Sequence, residues 1–240
     1  MADVHIAVPL QNPDVLHWVL FQLYPYVAIV VCVLGCLLRL DREPYTVRSK
    51  SSQFLGYDRT FLIGINLFHV GILSILAGHF VGLLTPHWLY SAVGLTAAVK
   101  QLIAMVAGGF FGILCLVGLV ILLLRRTTHP AVRRTSSFAD IALLVMLLIQ
   151  LLLGLGTIPV SAQHPDGSSM LALANWAQSI AFLQPGAAHY VQPEALIFKV
   201  HIVLGLTLIM LTPFTRLIHV VTMPVGYVFR RWQIVRGGRR

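Results

Sequence analysis

Five long apolar stretches constrain this chain more than any other feature. They lie at roughly 17–38, 60–84, 99–124, 138–161 and 195–222, each about 22 to 28 residues long. A helix needs about 20 mainly apolar residues to cross a bilayer. The pattern predicts an all-α integral membrane bundle of five transmembrane helices, with some tilt. Composition agrees. Of the 240 residues 58% are hydrophobic and 10% are charged, where a soluble domain carries about a quarter charged residues. So much apolar surface exceeds what one core of this size hides, and the excess has to face lipid. No charge run, repeat or low-complexity linker divides residues 1–240, so the reading is a single domain.

The formal net charge is +9. The basic residues stand between the apolar runs and in no stripe interleaved with aromatics, which argues against a nucleic-acid partner. They also alternate. Arg39, Arg42, Arg48, Lys50 and Arg59 surround the first loop, and Arg125, Arg126, Arg133 and Arg134 the third. Arg230, Arg231, Arg236, Arg239 and Arg240 fill the tail. The N-terminal segment and the second and fourth loops hold none, apart from Lys100 and Lys199 just inside helices. The positive-inside rule then places the N-terminus outside and the C-terminus in the cytoplasm. No basic n-region precedes the first apolar run, so no cleavable signal peptide is expected.

Cys32, Cys36 and Cys115 lie inside apolar runs and read as small buried hydrophobes. No CxxCH motif supports covalent haem attachment. The outer loop 162–194 carries the turn signal Pro165-Asp166-Gly167 and a helix-compatible stretch, Met170 to Phe182. It reads as a packed connector, with a lid as the alternative.

Ten histidines are present. Six fall in loops, tails or helix boundaries, but His69 and His79 lie deep in the second helix and His201 and His219 in the fifth. Ionisable groups inside a bilayer are costly and tend to be functional. The second helix runs outward and the fifth inward. Antiparallel packing therefore pairs His79 with His201 near the outer side and His69 with His219 near the inner side. Two imidazoles across a helix gap can supply both axial ligands of a low-spin haem iron. His201 and His219 are 18 residues apart, about five helical turns, and would share a face of a continuous helix. His69 and His79 stand about 80° apart. The inner pair matches less well in depth, and a bend at Pro213 is one way to absorb the difference.

Glycines surround these positions: Gly64, Gly71, Gly78 and Gly82, with Gly205 one turn after His201. They leave room for a flat macrocycle or simply for close helix packing. Arg216, one turn before His219, suits a haem propionate or an interfacial position. Lys100 suits a polar ligand near the outer haem, or the interface alone. The bland alternative for the set is four histidines each bonded to a neighbouring helix. A metal transporter would be expected to add intramembrane acids, and the nearest here, Asp140 and Glu194, stand at helix ends.

Several motifs resemble one family. They are Asn66-Leu-Phe-His-Val-Gly-Ile72, Gly78-His-Phe-Val-Gly82, Leu84-Thr-Pro-His-Trp88, Val99-Lys-Gln101, Thr157-Ile-Pro-Val-Ser-Ala-Gln-His164, Asp166-Gly-Ser168 and Arg216-Leu-Ile-His219. Together they resemble the gamma subunit of respiratory nitrate reductase, a dihaem cytochrome b membrane anchor, over nearly all of residues 24–236. The resemblance implies two b-type haems, the outer on His79 and His201 and the inner on His69 and His219. It implies quinol oxidation on the outer side of the cytoplasmic (inner) membrane, with Gly78, His79 and Lys100 at the quinol pocket. It also implies an iron-sulfur beta subunit and a molybdenum-containing alpha subunit as partners on the cytoplasmic side, beside membrane lipid. Two alternatives stay open at this point: a dihaem anchor of another quinone-linked enzyme, such as a sulfur-compound or heterodisulfide reductase, and a non-redox transporter.

Overall fold

The computed structural model describes residues 13–47, 49, 52, 55 and 58–221. Arg48, Lys50, the tail arginines 230, 231, 236, 239 and 240, and the last residue of the expected fifth helix, Thr222, lie outside the described residues.

Every regular element among the described residues is helical. Four helices are long and apolar enough to cross a membrane: α1 (Val15–Arg42), α2 (Arg59–Leu84), α4 (Ala97–Thr128) and α6 (Phe138–Ser161). Short helices connect them: α3 (His87–Ala92), α5 (Pro130–Arg134), α7 (Ser168–Ala181) and α8 (Ala188–Val191). The last helix, α9, covers Leu196–Met210. These long helices carry most of their large apolar side chains on the outside, as a membrane requires.

Sequence signals fix the helix starts. Asp58 accepts from the Thr60 amide and Thr96 from the Val99 amide. Ser137 and Asp140 form a reciprocal capping box at the start of α6. Small residues then let backbones close. A Cβ on Gly71 would lie 2.6 Å from the Cys115 Cβ, and one on Gly64 would lie 2.6 Å from the Ile121 side chain. This makes α2–α4 the tightest helix pair, in the small-residue manner of membrane helices. Beyond it, α4 packs on α6, α6 on α9, and α9 on α1. The Tyr24 and Thr207 hydroxyls bond at 2.7 Å across the α1–α9 pair.

Prolines explain the irregular places. Pro25 has no N–H to give the Phe21 carbonyl, so α1 widens into a π-turn over Val19–Leu23. The released carbonyl accepts the buried Trp176 indole N–H from α7 at 2.9 Å. Pro213 acts more strongly. The expected single helix over 195–222 is not formed: α9 stops at Met210, and two 3₁₀ segments follow, Thr212–Phe214 and Arg216–Val220. A proline at 213 removes one ladder bond and its ring collides with the preceding turn. Fifteen residues of α9 rise about 22 Å, short of the ~30 Å hydrocarbon core without the segments that follow.

The 162–194 loop is a packed connector. Trp176 and Ile180 of α7 join Phe21 of α1 and Ala187, Ala188 and Val191 around α8 in a buried cluster. Gly167 has φ +82°, and a Cβ there would lie 2.5 Å from the Ala97 backbone, so only glycine seats this turn on α4. Buried Gln101 fastens the same turn. It donates to the Ser161 and His164 carbonyls at 3.0 and 2.7 Å and accepts from the Met170 amide at 3.2 Å.

Candidate functional site

The gap between α2 and α9 holds His79 and His201. These two helices pack on other neighbours, α2 on α4 and α9 on α6 and α1. Across the gap the His79 and His201 ring centres stand 6.1 Å apart, at an interplanar angle of 35°. Imidazole nitrogens bind first-row metals at about 2 Å, and a ring centre lies about 1 Å behind its nitrogen, so two trans ligands on one metal place their rings about 6 Å apart. The observed separation fits one iron between the rings. A Cβ on Gly78 would meet nothing within 4 Å, so the flank beside His79 is open.

Hydrogen bonds set the tautomers. His79 Nδ1 lies 2.9 Å from the Ile75 carbonyl oxygen, and His69 Nδ1 lies 2.7 Å from that of Ile65. His219 Nδ1 lies 2.5 Å from the Arg216 carbonyl. A carbonyl oxygen only accepts, so in each case Nδ1 carries the proton and Nε2 keeps its lone pair. Metal-binding histidines are commonly oriented in this way, by donating the other ring N–H to a carbonyl or carboxylate. His69 and His79 therefore each keep a lone pair on Nε2 that could serve a metal.

The break after α9 bears on the expected pairing of His69 with His219. His69 and His79 are about 15 Å apart along α2, whereas a straight helix would carry His219 about 27 Å from His201. The two pairs could not both match in depth on straight helices. The shared-face expectation for His201 and His219 does not apply to the broken segment. Instead the extended Thr215 starts a new turn that presents His219.

Arg216, the propionate candidate, is held by Asp140. Its Nε and Nη2 lie 3.1 and 3.0 Å from Asp140 Oδ1. Arg126 of α4 approaches the same carboxylate at 3.9 Å and donates to Ser136. This cluster ties α4, α6 and the His219 turn together. The sequence placed Asp140 only at a helix end, and its capping-box position gave no sign of this second role.

Lys100 stands at the other end, where its Nζ is buried with no hydrogen-bond partner among the described residues. It lies 4.1 Å from the centre of the Tyr90 ring, a cation–π contact. Burial raises the pKa of the Tyr90 phenol, which bonds to His87. Gly71 faces Cys115, and the antiparallel register continued from there puts Lys100 about two turns, or ~10 Å, beyond His79.

The glycines divide by role. Gly64 and Gly71 serve α2–α4 packing, Gly78 leaves open space, and Gly205 makes room for Gln150. Gln150 is the residue sequence reasoning missed. Its one sequence signal is a lone polar side chain in the middle of the fourth apolar run.

Fold and site together define a multi-pass membrane protein of packed helices with a facing histidine pair between two of them. Residues 17–238 match the family model described as nitrate reductase gamma subunit. The chain is 52% identical over 217 residues to the respiratory nitrate reductase 1 gamma chain of Escherichia coli K12, covering 90% of this chain and 95% of the relative. It is 51% identical to the respiratory nitrate reductase 2 gamma chain of the same organism, covering 91% and 96%. It is 31% identical to the nitrate reductase gamma chain of Bacillus subtilis 168, covering 91% and 97%. The chain belongs to the nitrate reductase gamma subunit family, a family of enzyme subunits.

Proposed function

We propose that this chain is the membrane anchor and electron-entry subunit of a respiratory nitrate reductase. It is one domain of five spans in the cytoplasmic membrane, with the N-terminus outside. α9 and the turns after it make the fifth crossing. The α7 end then faces outward, and the Arg126–Asp140–Arg216 end faces the cytoplasm, where the iron-sulfur beta and molybdenum alpha subunits dock. The observation that carries this reading is the 6.1 Å separation of the His79 and His201 rings. The relatives' names favour nitrate reductase over another quinone-linked enzyme, and the facing imidazoles favour haem over transport.

His79 and His201 would hold the outer b-type haem, and His69 and His219 the inner one. When bound, the haems supply one-electron carriage between a quinol outside and the iron-sulfur partner inside. The protein's own part is orientation. The Ile75 and Ile65 carbonyls hold Nδ1–H of His79 and His69 and leave their Nε2 to ligate, and the Arg216 carbonyl orients His219 through its Nδ1–H. Gly78 leaves space for a quinol ring beside His79, and Lys100 offers an ammonium donor to a quinol oxygen. Arg216, braced by Asp140 and three residues before His219, would meet a propionate of the inner haem. Quinol protons released at the α7 end stay outside while negative charge moves inward. Each charge crossing then works against the field at about 2.3 kcal/mol per 100 mV.

The test is a dithionite-reduced minus oxidised spectrum of the complex purified in mild detergent. A b-type alpha band with two haems per chain is expected. His69→Ala and His219→Ala are each expected to remove one and the same haem and leave the other reducible. Two haems in either variant would refute the pairing, and no haem in the unaltered complex would refute the cytochrome reading.

A further inference from the structure

The break at Pro213 leaves backbone carbonyls to be satisfied, and α1 supplies the group that does it. In an unbroken helix the Pro213 carbonyl would accept from the Leu217 amide. That amide turns instead to the Thr215 hydroxyl, at 3.3 Å. Arg39 takes its place. Its Nη1 donates to the Pro213 carbonyl at 2.5 Å and to the Thr215 carbonyl at 3.3 Å. A cationic donor is a strong partner for carbonyls left over at a helix C-terminus.

The rest of the same guanidinium is fixed from behind. Nε donates to the Thr46 hydroxyl at 3.0 Å and Nη2 to the Thr46 carbonyl at 3.2 Å. Thr46 ends the 3₁₀ turn Pro44–Thr46 of the first loop, and its hydroxyl donates on to the Glu43 carbonyl at 2.8 Å. A planar fork held at three nitrogens has one direction in which to point. One turn earlier α1 is shaped for the same segment. A Cβ on Gly35 would lie 2.7 Å from Pro213 Cγ. Gly35 and Arg39 are four residues apart and share a face of α1. The glycine seats the proline ring, and the arginine takes the proline carbonyl. On the other side Asp140 of α6 holds Arg216, and Ile218 is wholly buried. The chain is therefore pinned at 213, 215, 216 and 218, and His219 comes next.

We propose that Arg39 is the positioning residue for His219: by holding the Pro213 and Thr215 carbonyls it sets the turn that presents this imidazole to the inner haem. This rests on the haem reading above. Thr215 and His219 are joined by one tight 3₁₀ stretch, Arg216–Val220, so a displaced Thr215 carbonyl carries through to the imidazole. Groups that orient an axial histidine from outside the metal's own ligand set tune the site as the ligands do.

The experiment is low-spin EPR with a redox titration of both haems in the intact complex carrying Arg39→Met or Arg39→Lys. The g-values of a bis-histidine haem follow the orientation of its two imidazole planes. Methionine has neither charge nor N–H. It is expected to shift the g-values of the haem assigned to His69 and His219, or to empty that site, and to leave the other haem unchanged. Lysine keeps the charge and three N–H donors. It is expected to bring the haem and its g-values back toward those of the unaltered complex. A merely structural role would lower the yield of complex and leave the g-values of both bound haems unmoved. A purely electrostatic role would lower the potential with the g-values unmoved. Either result would overturn the proposal, as would equal shifts of both haems or a lysine variant displaced as far as methionine. Failure of the haem reading looks different: His219→Ala would then leave the haem content of the complex unchanged.

Discussion

Gly118→Ala adds one methyl group where α4 lies closest to α2. The new Cβ would press on the Phe68 amide nitrogen, 2.8 Å from Phe68 Cα and 2.7 Å from the Gly64 carbonyl oxygen. All three are backbone atoms, so no side chain can swing aside. Restoring ordinary carbon contact at about 3.5 Å requires the helices to part by at least about 0.7 Å. Overpacking of this kind costs about 1–3 kcal/mol. Alanine also improves helix propensity, by about 1 kcal/mol over glycine. Gly108→Ala supplies the control, since it lies on the same helix and its Cβ would meet nothing within 4 Å. The propensity gain is common to both variants, so their difference isolates the clash. At 2–4 °C per kcal/mol for a chain near this size, Gly118→Ala should melt about 2–12 °C below Gly108→Ala. Thermal denaturation in one mild detergent, followed by near-UV circular dichroism, reads this difference. Phe68 adjoins His69, so on the proposed pairing the same variant should also lower occupancy of the haem assigned to His69 and His219 in the purified complex. Equal melting temperatures for the two alanine variants would refute the argument that Gly118 sets the α2–α4 distance.

Asp140→Ala removes the carboxylate shared by Arg126 and Arg216 in a site where the acid side chain is only 9% exposed. Breaking a buried ion pair from one side costs about 3–5 kcal/mol; on the proposed pairing, haem analysis should show the haem assigned to His69 and His219 lost before the one assigned to His79 and His201. Burial holds the Glu194 carboxyl above its ordinary value of 4.5, against the opposing pull of Ser169, His164 and Lys199. The folded chain binds that proton more tightly than the unfolded one, so the stabilising contribution is full below about pH 4.5 and is lost as pH rises through the raised folded value. Glu194→Gln should therefore flatten the pH dependence of melting across that window, and an unchanged slope would count against it. Gln101→Leu leaves the Ser161 and His164 carbonyls and the Met170 amide without their partner, at about 1–3 kcal/mol for each group that water does not reach. Amide exchange at Met170 should accelerate while exchange in mid-α4 does not.

The apolar runs were legible in the chain because lipid imposes length and sidedness on a helix locally. Ser137 and Asp140, Asp58 and Thr96 announce helix starts from within three residues, and α6 begins and ends where its apolar run does. The four deep histidines were legible for the same reason, since a polar group in such a run stands out. The fifth run was not, because hydropathy continues through Pro213 while the backbone cannot. Only tertiary structure decided which residues meet across helices. The pairing of His79 with His201 followed from the antiparallel order of the runs, but only the structure gave Arg216 to Asp140 and assigned Gly64 and Gly71 to packing and Gly205 to Gln150. Those pairings depend on helix rotation and register, which period-3.6 patterns leave free when every face is apolar. Gln150 shows the limit most clearly. One polar residue in an apolar helix signals a partner, but only the approach of α9 names it.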